Sequence, residues 1–493
     1  MTTVAKKTST RNVRRLAAGV VLATATLWSL VAPAPSSADE AADFALAKEY
    51  AETFYPLWLS VAQTTIDPAN KLIGPDKITH VYRGVVAIND DTLYASSPID
   101  SSGGPVLVSV PETTVAYSVL NLDLFGNVYD LGIPSQPNGT VYPATTYALL
   151  PPGYAGVVPP GTTPVTMADD FMTLIFRSDK YRPDGTDVTA ESEAFRRALA
   201  INGTPTDIIR EADYGFSFKL AADELMRLAP IDFLTELQAA VGSANVPTLS
   251  PAEQALSDAF DAAFPPAGSD IGFREGTRAA HRAIVDNYLG AAGPTGWNHF
   301  TNIGAWGDAV LDRASLNMYI QYGNSIATAA YYHAFVDGDG NALTGATSDG
   351  YVFRMGPDEI PDAGRFWSLT GYTPDTVELI ENDLGKYEVA SYTPGLVMDA
   401  DGGVTIYIGQ TLPDGVPEAN WLPVRDQDFN VMLRVYGVVA GSSVALNTYV
   451  PPAVVPYVPT PSTTTTTVAT STTTATTGGI AATPVSATPR LTG

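Results

Sequence analysis

The stretch VLVSVPETTVAYSVLNLDL, residues 106–124, decides the fold class because its apolar side chains recur at every second position. The valines of 106–110 share one parity, residues 115–119 repeat the pattern, and the leucines of 120–124 continue it on the opposite parity. A period of two is typical of β-strands, whose successive side chains point to opposite faces. Clusters of Gly, Pro, Asn and Asp separate these runs, so we predict a β-sandwich or barrel over about residues 78–178.

A second β region is predicted over about residues 336–448. Its clearest strands are 366–370, 404–408 and 429–436. In the last of these, alternation places apolar side chains on one face and a more polar set on the other. The apolar face holds Phe429, Val431, Leu433 and Val435, and the opposite face holds Asn430, Met432, Arg434 and Tyr436.

Helical patterns precede the first β region and separate it from the second. Residues 41–62 carry an apolar stripe at spacings of three and four, and Pro56 is expected to kink or end that helix. The alanine-rich segment 187–335 is predicted to be a helical connection. Its clearest start signal is Ser250-Pro251-Ala252-Glu253, in which the serine can cap the helix and the glutamate can reach back to the cap amide.

The two ends of the chain indicate export. Five basic residues, an apolar run from Leu16 to about Ala32 and small residues up to Ala38 form the layout of a cleavable signal peptide, 1–38. Arg14-Arg15 leaves the choice between general and twin-arginine export open. Residues 451–493 are rich in Thr, Ser and Pro and are predicted to be a disordered tail. These features predict an extracytoplasmic protein, secreted or associated with the cell envelope, whose mature chain has no transmembrane helix.

The composition excludes several kinds of chemistry. Fifty-two acidic residues against 27 basic ones give a net charge of −25, which makes nucleic acid an unfavourable partner. The chain has no cysteine, and its four histidines lack the spacing of a zinc motif. We therefore predict no thiol nucleophile, no metal and no cofactor, and we leave the oligomeric state open.

Two sets of motifs resemble those of a known pair of families. The first set is Asn89-Asp90-Asp91-Thr92-Leu93-Tyr94, Ile99-Asp100, Gly104-Pro105 and Val110-Pro111. The second is Phe366-Trp367-Ser368-Leu369-Thr370, Tyr372, Asp401-Gly402-Gly403, Asn420-Trp421-Leu422-Pro423 and Arg434-x-Tyr436. In this order they resemble the paired domain-of-unknown-function families 1254 (N-terminal) and 1214 (C-terminal). The chain departs from the first family's pattern at Asp90, which adds a second acidic residue.

The resemblance implies a multidomain, mainly β protein with helices, in which two jelly-roll-like antiparallel β-sandwiches are joined by a helical segment. We accordingly divide the mature chain into an N-terminal helix plus first β-sandwich (39–186), a helical connecting segment (187–335), a second β-sandwich (336–450) and the tail (451–493). The families carry no established activity, so a functional prediction has to come from candidate residues.

The first candidate cluster lies between residues 89 and 94. Asn89, Thr92 and Tyr94 can bind a ligand, and the carboxylates of Asp90 and Asp91 can supply acid–base chemistry. The alternative is structural: Asn89 and Asp91 cap a turn by accepting hydrogen bonds from backbone amides.

The second candidate cluster combines aromatic and cationic side chains suited to sugar rings or planar acids. Its members are Arg365, Trp367, Trp421, Arg434 and Tyr436. In the structural alternative, the two tryptophans fill a core and the arginine is paired inside it. If the two domains face each other, both clusters line one interdomain cleft.

Three functions follow from these clusters. The first is binding or processing of a carbohydrate or envelope glycan in the interdomain cleft. The second is a non-catalytic structural or adhesion module. The third is an enzyme acting on a small organic acid, with Arg365 or Arg434 holding the carboxylate. The expected partner is accordingly a glycan or a small-molecule ligand.

Overall fold

A computed structural model describes residues 38–134, 140–209, 217–346 and 349–459. The predicted signal peptide before Ala38 and most of the predicted tail lie outside the described residues. The chain up to Tyr457 forms one compact unit. Among the residues that the structure describes, no helix combines the length and the apolar character needed to span a bilayer.

The chain alternates between strand-rich and helix-rich segments. The helices are α1 (Ala38–Thr64), α2 (Thr189–Ala198), α3 (Phe218–Leu228), α4 (Pro230–Val241), α5 (Pro251–Ala263), α6 (Ile271–Leu289) and α7 (Val310–Tyr319), with a 3₁₀ helix at Glu418–Asn420. The strands are β1 (Ile73–Pro75), β2 (Thr92–Asp100), β3 (Val106–Val110), β4 (Tyr117–Leu122), β5 (Thr145–Leu150), β6 (Thr163–Thr166), β7 (Phe171–Asp179), β8 (Ala200–Ile201), β9 (Thr204–Pro205), β10 (Asp207–Ile209), β11 (Trp297–Asn298), β12 (Ala329–Ala334), β13 (Tyr351–Met355), β14 (Ala363–Tyr372), β15 (Glu388–Ala390), β16 (Val404–Gly409), β17 (Trp421–Pro423), β18 (Asn430–Val438) and β19 (Val454–Pro456).

The first β-sandwich consists of two five-stranded sheets with the orders β10-β1-β2-β7-β4 and β6-β5-β3-β8-β9. Neighbouring strands are antiparallel except for the pairs β1–β10 and β5–β6. The alternation predicted for residues 106–110 is confirmed, because the valines of β3 are buried and the residues between them are less so. These valines share an apolar core with Ile99 and Leu174 of the facing sheet.

Strand β4 shows why the leucines of 120–124 changed parity. Tyr117 belongs to the core between the two sheets. Leu120 and Leu122 point the other way, into a larger apolar core that the sheet shares with the helices. The sheet β10-β1-β2-β7-β4 is therefore covered on both faces, and its outer face looks towards the rest of the molecule.

The second β-sandwich consists of the sheets β11-β12-β18-β14-β15 and β17-β16-β13-β19. Neighbouring strands are antiparallel except for β16–β17. The predicted two faces of β18 are confirmed. Leu433 packs with Phe353 and Ile406 in the core between the sheets. Tyr436 instead belongs to the core that contains the helices and the outer face of the first sandwich.

The helices fill the space beside the two sandwiches. Helix α1 continues through Pro56 to Thr64, so the proline does not end it. Its residues 50–60 are all buried, and tertiary packing on every side therefore holds the helix together around the proline. Helix α6 approaches α1 closely, because a Cβ atom at Gly276 would lie 2.4 Å from the carbonyl oxygen of Phe44. The capping box predicted at Ser250 and Glu253 is confirmed at the start of α5.

The segment 187–335, predicted to be helical, contains α2–α7 and also the strands β8–β12. Strands β8–β10 complete the sheets of the first sandwich, and β11–β12 extend a sheet of the second. Strand β12, with the sequence AAYYHA, is buried at every position. A strand buried on both faces lacks the alternation that the sequence analysis used to recognise strands.

Candidate functional site

The loop before β2 lies against strands β14 and β18 of the second sandwich, so the two predicted clusters meet. The Nδ2 atom of Asn89 donates to the Tyr436 hydroxyl at 2.9 Å. The same amide donates to Asp91, whose Oδ2 also accepts from the Ser368 hydroxyl at 2.9 Å. Asn89 and Asp91 are 1% and 0% exposed. Asp91 therefore binds side chains of the other sandwich, which differs from the turn-capping alternative.

Two further predicted site residues, Arg365 and Asp90, form ion pairs. Arg365 forms a bidentate pair with Asp179 at the end of β7. Asp90 pairs with Lys180 at 2.9 Å. Burial raises the pKa of Asp90, and Lys180 offsets this only in part.

Three of the predicted ligand-binding residues lie elsewhere. Trp367 packs in the core of the second sandwich, as the structural alternative expected. Trp421 lies in β17, and its indole nitrogen donates to the carbonyl of Gly409 at 3.0 Å. Thr92 is fully buried at the start of β2. Neither tryptophan borders the cavity described next.

A cavity lies between the outer face of the first sandwich, the strands β12 and β18, and helix α1 with the segment after α7. It leaves about 50 Å³ for the centres of water-sized groups. Its polar wall contains Asn89, Tyr94, Arg177, Tyr331, Arg434 and Tyr436, and its apolar wall contains Ile73, Pro75, Ile88, Ile175 and Ile320. Because one water needs roughly 10–15 Å³ on this measure, the space suits a few waters or a small organic molecule.

The two arginines of this cavity differ from the other buried cations. Five Lys or Arg residues are buried in the described segments, and Arg196, Lys219 and Arg313 each pair with a carboxylate. Arg177 donates to the Asn324 side chain and to the Tyr322 carbonyl, both at 3.1 Å. Arg434 donates to the Thr370 hydroxyl and the Ala87 carbonyl. The cavity is thus walled by two guanidinium groups whose hydrogen-bond partners are uncharged.

Asp91 nevertheless balances one of these charges at longer range. Burial acts to lower the pKa of Arg434, but the phenols of Tyr372 and Tyr436 and the carboxylate of Asp91 raise it overall. Guanidinium groups stay protonated in proteins, so the wall carries two positive charges, and the carboxylate of Asp67 also lines the cavity. In the part of the chain that the structure describes, neither guanidinium donates a hydrogen bond to a carboxylate.

Two phenols add hydrogen-bond donors to the same wall. The Tyr331 hydroxyl accepts from the backbone and side-chain nitrogens of Asn324 at 3.0 and 2.6 Å. The Tyr436 hydroxyl accepts from Asn89. A hydroxyl has one proton to give, and neither phenol uses it on another described group. Both protons are available to an acceptor inside the cavity.

Strained backbone holds both arginines in place. Ala87 and Tyr322 have φ angles of 57° and 61°, in the left-handed region that non-glycine residues seldom occupy. Their carbonyl oxygens are the acceptors for Arg434 and Arg177 respectively. The Ala87 amide in turn donates to the carbonyl of Val377, whose φ is 53°. Such strain costs about 1–2 kcal/mol per residue and concentrates at functional sites.

Comparisons with known proteins place this architecture in a family. Residues 69–202 match the family model described as a protein of unknown function, DUF1254, and residues 328–439 match that described as a protein of unknown function, DUF1214. The chain belongs to the proteins that pair DUF1254 with DUF1214. The resemblance drawn from the motifs is therefore confirmed. Asn89 and Arg177 lie in the DUF1254 region, and Tyr331 and Arg434 lie in the DUF1214 region.

Two solved structures are similar to this DUF1254–DUF1214 chain, and the first of them shares its fold. The VPA0106 protein from Vibrio parahaemolyticus is 17% identical, with a TM-score of 0.51 over 84% of this chain and 99% of that one. A putative uncharacterized protein from Burkholderia cenocepacia is 14% identical, with a TM-score of 0.39 over 82% of this chain and 94% of that one. The search of curated proteins finds no match.

Behind the cavity, a carboxyl of the DUF1214 region shares a phenol with Asp91. The Tyr392 hydroxyl lies 2.6 Å from Asp91 Oδ1 and 2.8 Å from Glu388 Oε1. Burial, with the nearby Asp91 and Asp90 charges, raises the pKa of Glu388 well above its ordinary value, and Lys180 opposes this. A protonated Glu388 can donate to Tyr392, which donates to Asp91, so the raised pKa and the hydrogen bonds agree.

This arrangement predicts a pH dependence of stability. The folded chain keeps the Glu388 proton above 4.5, the ordinary pKa at which the unfolded chain releases it. The free energy of unfolding should therefore fall as the pH rises from 4.5 towards the folded-state pKa. Glu388→Gln retains a neutral donor and should remove this part of the fall. Urea unfolding of both proteins between about pH 5 and about pH 9 measures it, and parallel pH curves would contradict it.

Four residues at or behind the cavity were not among the candidates predicted from the sequence: Arg177, Tyr331, Glu388 and Tyr392. One signal was available for Arg177, because it is the single charge inside the otherwise apolar run FMTLIFRS at 171–178. A charge within a strand buried on both faces needs a partner or a ligand. Tyr331 lies in β12, which was not recognised as a strand. Glu388 and Tyr392 reach Asp91 only through the meeting of the two sandwiches.

Proposed function

We propose that the cavity binds a small organic molecule that carries one carboxylate. This corresponds to the third function considered from the sequence. The supporting observation is the pair of buried guanidinium groups, Arg177 and Arg434, whose hydrogen-bond partners are uncharged while the other buried cations have carboxylates. Burying a guanidinium that is hydrogen-bonded only to uncharged groups is expensive, and a bound carboxylate can supply a charged acceptor.

The chemistry of the polar wall suits a carboxylate. Guanidinium groups match its planar oxygens, and the Tyr331 and Tyr436 hydroxyls can add neutral donors. The strained carbonyls of Ala87 and Tyr322 fix the two arginines before a ligand arrives. Fixed donors reduce the entropy that a ligand has to overcome on binding.

The apolar wall suits a short hydrocarbon or aromatic body on the same ligand. Isoleucine side chains at 73, 88, 175 and 320 face the space beside the polar wall. The volume of the cavity favours a molecule the size of butyrate or benzoate over an oligosaccharide. Glycan binding remains a prediction without a supporting contact, since Trp367 and Trp421 lie away from the cavity. The signal peptide predicted over 1–38 supports placing the activity outside the cytoplasm.

Calorimetry and thermal shifts with acetate, butyrate and benzoate test the proposal. We expect at least one of these to bind and to raise the melting temperature of the full chain. Arg177→Met should weaken that binding by about tenfold to a hundredfold, the effect of losing a hydrogen bond to a charged group. Tyr436→Phe, which removes one hydroxyl from the wall, should weaken it in the same direction.

The matched control is Arg282→Met, at an exposed arginine of α6 far from the cavity wall. It should bind the carboxylate as the wild-type protein does. The proposal fails if none of the three carboxylates binds. It also fails if folded Arg177→Met and Tyr436→Phe proteins bind as well as the control.

A further inference from the structure

We infer that Asp91 is a positioning residue that makes the cavity choose a carboxylate over the carboxamide of the same shape. It acts through Asn89 and Tyr436. The inference rests on the proposed function and adds to it the property by which the site discriminates. Asp91 is not part of the cavity wall, so it does not touch the ligand itself.

Asp91 can only accept hydrogen bonds in its ionised form, and it is surrounded by donors. The Ser368 and Tyr392 hydroxyls and the Asn89 amide all donate to it. The first two donors come from the second sandwich, so contact between the sandwiches fixes the carboxylate. An asparagine amide can occupy two orientations that differ by half a turn, and its neighbours decide between them. A carboxylate beside Asn89 requires the NH₂ group on that side.

This orientation sets the direction of the next hydrogen bonds. With its NH₂ group towards Asp91, Asn89 gives its second amide proton to the Tyr436 hydroxyl at 2.9 Å. Its carbonyl oxygen accepts from the Tyr94 hydroxyl. Tyr436 is therefore an acceptor towards Asn89, and its own proton is left for the cavity. A reversed amide would take up the Tyr436 proton and remove this donor from the wall.

The result is a set of three hydrogen-bond donors on the cavity wall. Arg177, Arg434 and Tyr436 offer protons, and a carboxylate offers only acceptors. The NH₂ group of a carboxamide would have to face one of these donors. A site built to hydrogen bond one polar group rejects an analogue that leaves a buried group unpaired. Asp91 thus controls selectivity although two hydrogen bonds, both made by Asn89, separate it from the Tyr436 phenol that contacts the ligand.

The test compares the affinities of butyrate with butyramide and of benzoate with benzamide, measured by calorimetry on the full chain at neutral pH. For the wild-type protein we expect the carboxylate to bind more tightly than its amide. Asp91→Asn can present an NH₂ group to Asn89 and so permits the reversed amide. The same substitution removes a negative charge that acts on Arg434, which by itself favours the carboxylate whether or not the Tyr436 hydroxyl is present. We therefore expect Asp91→Asn to shift the carboxylate-to-amide ratio towards the amide by about tenfold more in the wild-type background than in a Tyr436→Phe background.

Asp90→Asn is the matched control because it makes the same chemical change one residue away, on a side chain that pairs with Lys180. It should keep the wild-type preference. A role of Asp91 through structure or charge alone would change the ratio equally in the wild-type and Tyr436→Phe backgrounds. In the Tyr436→Phe background only the lost charge acts, since the proton that Asp91→Asn redirects is already gone.

The outcomes separate this inference from the proposed function. If the wild-type protein binds no carboxylate, the proposed function itself fails. If it binds carboxylates but folded Asp91→Asn changes the ratio equally in the wild-type and Tyr436→Phe backgrounds, the positioning role is overturned while the binding proposal stands. Should Asp91→Asn not fold, Asn89→Ala and Tyr436→Phe take its place. Both must lower the ratio, and an unchanged ratio in either one overturns the inference.

Discussion

Replacing Asp179 with alanine should lower the free energy of unfolding by about 3–5 kcal/mol, the usual effect of removing one partner of a buried ion pair. Asp179 is 2% exposed and binds Arg365 through both carboxylate oxygens. Its loss leaves the guanidinium of Arg365 without a counter-charge, and one nitrogen of that group, Nη1, already has no hydrogen-bond partner. Urea unfolding at neutral pH measures the change.

The same pair should be replaceable as a unit. Burial raises the pKa of Asp179, and Arg365 opposes this only in part. Removing both charges from water is costly, which offsets much of the attraction within the pair. Arg365→Met alone should also destabilise the protein, because it leaves the carboxylate buried and unpaired. The double change Asp179→Leu with Arg365→Met should restore most of the stability, since apolar replacements of buried pairs are often neutral.

An exposed pair provides the control for this prediction. Arg354 and Asp401 form an ion pair with side-chain exposures of 44% and 53%. Asp401→Ala should change the free energy of unfolding far less than Asp179→Ala does, because water screens the interaction. Equal effects of Asp179→Ala and Asp401→Ala would show that the pair between the sandwiches is not a buried one.

His333 should make the protein sensitive to acid. Burial lowers the pKa of His333 to about 3 from the ordinary 6.5, and the Arg434 charge acts in the same direction. Its Nε2 lies 2.6 Å from Asn430 Oδ1 and its Nδ1 lies 2.8 Å from the Tyr288 hydroxyl. Asn430 uses its amide nitrogen on the Thr373 carbonyl, so its oxygen accepts from the imidazole and Nδ1 accepts from Tyr288. Each ring nitrogen is thus committed in the neutral form.

The sign of the pH effect follows from these partners. Below 6.5 the unfolded chain binds a proton at this histidine, whereas the folded chain takes it up only near pH 3. Stability is therefore present above 6.5 and lost as the pH falls through this window. The slope attributable to His333 should reach about 1.4 kcal/mol per pH unit. His333→Gln should have a pH curve that is shallower by that amount.

Two measurements check this prediction. Urea unfolding of the wild-type and His333→Gln proteins across the window gives the difference in slope, which cancels the contribution of carboxylates common to both. Nuclear magnetic resonance of the labelled imidazole follows protonation directly. Protonation near pH 6.5 in the folded protein would be incompatible with a buried neutral ring.

Much of the strand and helix pattern could be predicted from local sequence. The alternation at 106–110 and 429–436 and the capping box at Ser250 all recur in the structure. Each depends on the geometry of one element and on residues within a few positions of each other. Strand β12 was missed because burial on both faces removes the alternation. Helix α1 passes Pro56 because its surroundings outweigh a local preference.

The candidate site was predictable only in part. The motifs of the family resemblance identified four of its residues as candidates: Asn89, Asp91, Arg434 and Tyr436. The same reasoning also selected Trp367 and Trp421, which lie away from the cavity. Periodicity identifies which face of a strand a side chain occupies, but not what that face meets. For this reason Arg177, Glu388 and Tyr392 could not be assigned partners.

The sequence by itself therefore determined the strands of the stretch 106–124, the two faces of β18 and the family. The tertiary structure decided which buried charges are paired. Strand periodicity is a property of neighbouring residues, whereas the counter-charge of a buried group depends on which sheets face each other. Across such a contact, Asp179 pairs with Arg365 and Asp91 accepts a hydrogen bond from Ser368. Arg177 and Arg434 instead line a cavity.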